Sequence, residues 1–306
     1  MTAIVADHLT RRFGHLTALD DVSFEIPAGQ FTALLGPNGA GKTTTIEILE
    51  GFLAPTAGSA LVLGIVPRRG GRAWRSRIGL VMQSTSLDGD MTVRDLLTAF
   101  AQLYPNPLPV AEVLEVIDLA GQADDRVGTL SGGQQRRVDV GVGIIGRPEV
   151  LFLDEPTTGL DPEARRHVWS GIDRLAADGM TVLLTTHYIE EASQFAERVL
   201  VIDGGHLIAD GTPAELRARG GQTEIRYALP RQAPAQDLPA TLAGAFDAER
   251  RLLTIRPDDV ATTLRDLTGW AGRHGLDLRG LEVGPPSLED AYLAITGDRT
   301  VTENAS

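Results

Sequence analysis

The chain has 306 residues, no cysteine and a formal net charge of −13; that is long enough for two domains, and it excludes a disulfide framework and thiol chemistry. No apolar run reaches the about 18–20 residues of a membrane-crossing helix, and Met1-Thr2-Ala3-Ile4-Val5-Ala6-Asp7-His8 lacks the charged-then-apolar pattern of a signal peptide. The acidic balance argues against a nucleic-acid partner and against direct adhesion to anionic lipid.

Phe13, in Arg11-Arg12-Phe13-Gly14, offers a ring that can stack on an adenine, or one more core aromatic. The apolar run at 31–35 reads as a buried strand. It feeds Gly36, Pro37, Asn38, Gly39, Ala40, Gly41, Lys42 and Thr43, which match G-x-x-x-x-G-K-[ST]. Thr44 then opens a stretch to residue 50 that reads as a helix. Lys42 is the only lysine of the chain. A compact ammonium fits under a loop wrapped round phosphates, where a planar guanidinium does not. Glycines let backbone N–H groups approach an anion, and the helix N-terminus adds donors and a positive dipole end. The segment therefore predicts a nucleoside triphosphate site, with Lys42 bridging the β- and γ-phosphates and the Thr43 hydroxyl on Mg²⁺.

Arg68, Arg69, Arg72, Arg75 and Arg77 cluster before the next strand and read as a solvated surface. That strand, 78–82, ends in Gln83. Apolar spacing predicts helices over 91–100 and 110–119. Leu130-Ser131-Gly132-Gly133-Gln134 follows at the head of another helix and makes a second anion seat. One triphosphate does not need two seats from one subunit, so this seat points to a nucleotide held by a second copy. The glycines at 141, 143 and 146 predict a weak or kinked helix, at about 1 kcal/mol each relative to alanine.

The apolar run 150–153 predicts a parallel strand covered on both faces, ending in Asp154-Glu155. Paired carboxylates there are costly unless a cation or a reaction needs them. Successive strand residues point opposite ways, so Asp154 is assigned to Mg²⁺ and Glu155 to the attacking water. The strand 181–186 ends in His187. Gln83, Asp154, His187 and the glycine loop thus share the sheet edge where open α/β folds place ligands. Gln83 is placed with Thr43 and Asp154 in the metal shell, and with Lys42, Glu155 and His187 among the catalytic residues. Beyond about 222, strands at 223–229, 251–256 and 276–283 and helices at 258–270 and 287–296 predict a small α+β module without a catalytic constellation.

In this order the motifs resemble those of the ATP-binding subunit of ABC transporters, over about residues 3–215. The Leu-Ser-Gly-Gly-Gln motif is specific to that family. The resemblance implies an α/β P-loop NTPase core over 1–220 with antiparallel β and helical subdomains, the latter at about 84–140. An accessory α+β domain would occupy 221–306. It further implies ATP with Mg²⁺ and a head-to-tail homodimer in which Ser131 and Gly133, flanked by Gly132 and Gln134, reach the partner's γ-phosphate. Asp161 would communicate across that interface, His187 would hold the γ-phosphate, and Glu155 would polarise the water. A separate integral membrane permease would dock in the helical subdomain, placing the chain peripherally on the cytoplasmic face of the cell membrane. Ser287-Leu288-Glu289-Asp290-Ala291-Tyr292-Leu293 resembles the end of the daunorubicin-type export branch, which implies a drug, antibiotic or other small amphipathic cargo. The alternative is a soluble ATPase of the same superfamily acting on ribosomes or nucleic acid. Such proteins usually carry two nucleotide units or a long coiled coil, and this chain shows neither.

Overall fold

The computed structural model describes residues 1–82, 87–219, 223–231, 233–239, 242 and 245–303, with side chains to 297. Gln83 lies outside the described residues. The chain divides into two compact units, Met1–Pro213 and Ala214–Ser306.

The strands of the first unit are β1 (Thr2–Phe13), β2 (Leu16–Pro27), β3 (Phe31–Leu35), β4 (Ala57–Val62), β5 (Ile78–Val81), β6 (Val150–Asp154), β7 (Thr181–Thr186), β8 (Arg198–Asp203) and β9 (His206–Gly211). Its helices are α1 (Lys42–Glu50), α2 (Arg72–Arg75), α3 (Val93–Ala101), α4 (Val110–Val116), α5 (Gly132–Ile144), α6 (Pro162–Ala177) and α7 (Ile189–Phe195); α8 (Pro213–Arg219) begins at the division. An antiparallel sheet has the order β2-β1-β4, and a larger sheet the order β5-β6-β7-β3-β8-β9. All neighbours in the larger sheet run parallel except β8 and β9. Every residue of β3, β6 and β7 is buried, as continuous apolar runs in a doubly covered parallel sheet require. The order puts the ends of β6, β7 and β3 side by side, and these carry Asp154, His187 and the glycine loop.

One core joins the two sheets through α1. Ile4, Leu9 and Ile26 of the small sheet cluster with Ile46, Ile48 and Leu49 of α1 and with Leu34, Phe152 and Leu200 of the large one. On the other side Trp169 of α6 packs on Phe31 and Phe195, with ring centroids 6.0 and 5.0 Å away.

The kink expected among the glycines after the Leu-Ser-Gly-Gly-Gln motif is not what the structure shows. Helix α5 runs unbroken from Gly132 to Ile144, because its glycines are where other elements come closest. A Cβ on Gly143 would stand 2.6 Å from Val81 Cγ2 and 3.0 Å from the Leu80 carbonyl oxygen. One on Gly141 would meet only the tips of Ile117, Val113 and Leu97, at 3.0 to 3.3 Å. Gly143→Ala is therefore expected to destabilise the protein by about 1–3 kcal/mol through overpacking. Gly141→Ala, whose neighbours can yield, should fall within about 1 kcal/mol of the parent because helix propensity offsets the crowding. Urea midpoints of the two variants check the ranking.

Glu50 closes α1 at 8% exposure, and among the described residues no hydrogen bond or ion pair reaches it. Burial, then the charges of Asp154 and Glu47, pushes its carboxyl from 4.5 up to about 8. The folded chain holds this proton more tightly than the unfolded one. The contribution of this carboxyl to stability is thus fully present below about 4.5 and is lost as the pH climbs towards 8. Glu50→Gln should remove that slope and exceed the parent at pH 8.5 by on the order of 3 kcal/mol, read from urea midpoints across pH.

The second unit holds β10 (Glu224–Ala228), β11 (Phe246–Asp247), β12 (Leu252–Ile255) and β13 (Glu282–Gly284), antiparallel in the order β11-β12-β10-β13, with α9 (Val260–Arg273) and α10 (Leu288–Glu303). Ile225, Tyr227, Leu253, Leu267 and Trp270 form its core. The strand expected over 276–283 is reduced to β13. Asp277 accepts from the Arg279 N–H, Leu281 N–H closes on the Leu278 carbonyl, and Gly280 sits at φ +81, so a turn takes the first half.

Candidate nucleotide site

The site is assembled from strand ends. After β3 the chain enters the glycine loop, and Gly41, at φ +109, passes so close to β2 that a Cβ would stand 2.6 Å from the Ala18 carbonyl oxygen. Only glycine tolerates both the angle and the contact. No side chain caps α1, so the N–H groups of its first turn are left for an anion. Lys42 is 6% exposed, and its Nζ donates to the carbonyls of Gly36 at 2.7 Å and Pro37 at 3.0 Å. Burial lowers its pKa, opposed by the charges of Glu155 and Asp154. A cavity of about 420 Å³ extends from Phe13 over Asn38, Lys42 and Thr43 to Glu155. Phe13 is 43% exposed, with the Arg11 guanidinium 4.4 Å from its ring centroid.

Asp154 is the last residue of β6. One of its oxygens accepts from Thr185, and the other lies 3.5 Å from Thr43 Oγ1. Glu155 breaks with strand geometry: its φ is +47. The two carboxylates are separated by that left-handed turn, and the alternation of side chains along a strand does not describe them. The turn brings Glu155 Oε1 within 3.1 Å of His187 Nδ1 and Oε2 within 3.4 Å of Thr158 Oγ1. Phe13, the glycine loop, Asp154, Glu155 and His187 are thus gathered in one place.

The residues Ser131, Gly132, Gly133 and Gln134 are absent from the lining of this cavity. They open α5 with a reciprocal cap: Ser131 Oγ accepts from the Gln134 N–H at 3.3 Å, and Gln134 Oε1 accepts from the Ser131 N–H at 2.9 Å. Ser131 and Gly132 are exposed, and a Cβ on Gly132 would meet nothing within 4 Å. Asp161 caps α6, accepting from the N–H groups of Glu163 and Ala164 at 2.9 Å. Those bonds hold its carboxyl below the ordinary range.

Two residues escaped the sequence reading. Arg136 of α5 is 8% exposed and donates to the carbonyls of Met82, Asp154, Glu155 and Pro156. It ties the approach to Gln83 and the Asp154-Glu155 turn to one helix. Glu191 of α7 is 3% exposed and accepts from Thr157, Thr186 and Trp169, joining the loop after Glu155 to the strand that ends at His187. The paired arginines after the Leu-Ser-Gly-Gly-Gln motif were the only available hint.

Residues 19–158 match the family model described as ABC transporter, and residues 223–287 match that of the ABC transporter domain-containing protein-like C-terminal domain. The daunorubicin resistance ATP-binding protein DrrA3 of Streptomyces coeruleorubidus is 40% identical, over 99% of both chains. The chain belongs to the ABC transporter family. The Nod factor export ATP-binding protein I of Paraburkholderia xenovorans (strain LB400) is 39% identical to this ABC subunit, over 96% of this chain and 97% of that protein. Among solved structures, the dimeric post-hydrolysis ATP-binding cassette MJ0796 bound to ADP and Pi aligns with 68% of this chain and 98% of its own at 26% identity and a TM-score of 0.62. The ABC chain is an ATPase built on the P-loop core, with a further α+β module. None of its described helices is long and apolar enough to cross a membrane.

Proposed function

We propose that this ATPase energises an exporter whose pathway is a separate membrane permease, and that it works as a head-to-tail pair of copies on the cytoplasmic face of the membrane. Lys42 holds the β- and γ-phosphates, Glu155 accepts the proton of the attacking water, and His187 steadies both Glu155 and the γ-phosphate. Ser131 and Gly133 of each copy complete the partner's site, and Asp161 stands beside that junction. Thr43 Oγ1 and Asp154 Oδ2, 3.5 Å apart, suit one small hard cation, with Gln83 as a further oxygen donor. Among the described residues no group of three metal-binding side chains occurs, which fits Mg²⁺ held by few protein oxygens together with phosphates. Bound there, the ion neutralises charge on the phosphates.

The observation that carries the reading is the division of the phosphate-binding parts. Glycine loop, Asp154, Glu155 and His187 converge, while Ser131, Gly132 and Gly133 do not line the same chain's cavity. The relatives' names mark drug-resistance and Nod factor export proteins, and we take a drug, antibiotic or other small amphipathic molecule as the cargo class. The same full-length similarity favours transport over ribosome or nucleic-acid work. Purification from detergent-solubilised membranes should retain a polytopic membrane protein on the wild-type chain. Retention of ribosomes or DNA in its place would overturn the reading.

A further inference from the structure

Among the described residues, one hydrogen bond directs the imidazole of His187. Its Nδ1 lies 3.1 Å from Glu155 Oε1, which leaves Nε2 for the γ-phosphate. A bond at one nitrogen sets a distance but leaves the plane of the ring free, because the outer torsion of histidine is broad. Close packing does not fix that plane either, since 39% of the side chain is open to solvent. The ring of Tyr188 does. Its centroid is 4.1 Å from that of His187 at an interplanar angle of 37°, and an aromatic pair in contact favours one mutual orientation.

Neighbouring strand residues point to opposite faces, so consecutive rings meet only where the chain has left the strand. It leaves β7 at Thr186, whose Oγ1 accepts from the Tyr188 N–H at 2.9 Å and closes a short turn. The same hydroxyl donates to Glu191 Oε2 at 2.8 Å. The Tyr188 ring is itself held. The guanidinium of Arg165, near the start of α6, lies 4.7 Å from its centroid, within reach of a cation–π attraction. Arg165 Nε is buried, has no hydrogen-bond partner among the described residues and stands 3.7 Å from Glu191 Oε1. The buried Glu191 carboxylate thus secures both the turn that delivers Tyr188 and the cation that pins its ring.

We propose that Tyr188 is a positioning residue for ATP hydrolysis. Clamped by Arg165, it holds the His187 imidazole in the plane that lets Nδ1 meet Glu155 while Nε2 reaches the γ-phosphate. This rests on the role given to His187 above. Misplacing a reacting group by about 1 Å costs up to about 10²-fold in rate. A histidine ring that swings free therefore slows turnover, while the affinity set by the glycine loop and Lys42 stays.

The test is steady-state hydrolysis by the full-length chain, with ATP affinity and the His187 ring-proton resonances measured alongside. Tyr188→Ala should lower kcat by about 10- to 10²-fold with ATP affinity held within about threefold. Tyr188→Phe keeps the ring and should restore kcat to within about twofold of the parent. The His187 resonances should leave their ring-current-shifted position in Tyr188→Ala and regain it in Tyr188→Phe. Arg165→Met should slow the parent and add nothing in the Tyr188→Ala background, as for residues acting through one another. Parental kcat in Tyr188→Ala, equal losses in Tyr188→Ala and Tyr188→Phe, unmoved His187 resonances, or an additive Arg165→Met each overturn the clamp. His187→Ala separates this proposal from the reading beneath it. If that variant is impaired and Tyr188→Ala is not, the clamp alone falls. If His187→Ala hydrolyses at the parental rate, the role of His187 fails and the clamp falls with it.

Discussion

Glu155→Gln is expected to bind ATP as the parent does and to hydrolyse it roughly 10²–10⁴-fold more slowly, the range for loss of a general base. The amide has the size of the carboxylate, so Thr158 and His187, 3.4 and 3.1 Å from its two oxygens, keep a neighbour of the same shape. Arg136 holds this turn through the carbonyl of residue 155 rather than through its side chain, so the left-handed turn should survive the change. What disappears is the negative charge that accepts a proton from water. With ATP unspent, paired copies should persist: size-exclusion chromatography in Mg²⁺ and ATP is expected to show a dimer for the variant and a mixture for the parent. Hydrolysis at the parental rate would remove Glu155 from the role proposed for it.

The parts of the site that were legible in the sequence are those whose chemistry lies in residue identity at a strand end. Lys42 in its glycine loop, Asp154 after 150–153 and His187 after 181–186 required only that apolar runs become parallel strands, and the sheet order sets those ends side by side. Glu155 was legible as a residue and not as a direction, because a φ of +47 leaves no trace in an alternation of side chains. Arg136 was hidden for another reason. Its acceptors are main-chain carbonyls of Met82, Asp154, Glu155 and Pro156, which any sequence supplies at any position. The glycines of α5 misled because propensity is a local quantity, whereas the approach of Leu80 and Val81 to Gly143 belongs to packing. Ser131 and Gln134 were read as an anion seat alone, though Ser-x-x-Gln is also the pattern of a reciprocal helix cap, and the fold uses it as one.

That double use makes Ser131→Arg the sharpest measurement of the two-copy site. Within one chain the substitution costs little: Ser131 is exposed, the space beside Gly132 is open, and loss of the cap is worth about 1 kcal/mol. ATP binding by the isolated copy should stay at the parental level, since Ser131 does not line that copy's cavity. In a head-to-tail pair the same side chain is driven against the partner's γ-phosphate seat, displacing a donor meant for the transition state. Hydrolysis should then fall by at least about 10²-fold, the loss typical of removing one such donor, and the Mg²⁺-ATP dimer should vanish from size-exclusion profiles. An unchanged catalytic rate would mean that each copy completes its own site, and the exposed, capped start of α5 would then have no part in handling the triphosphate.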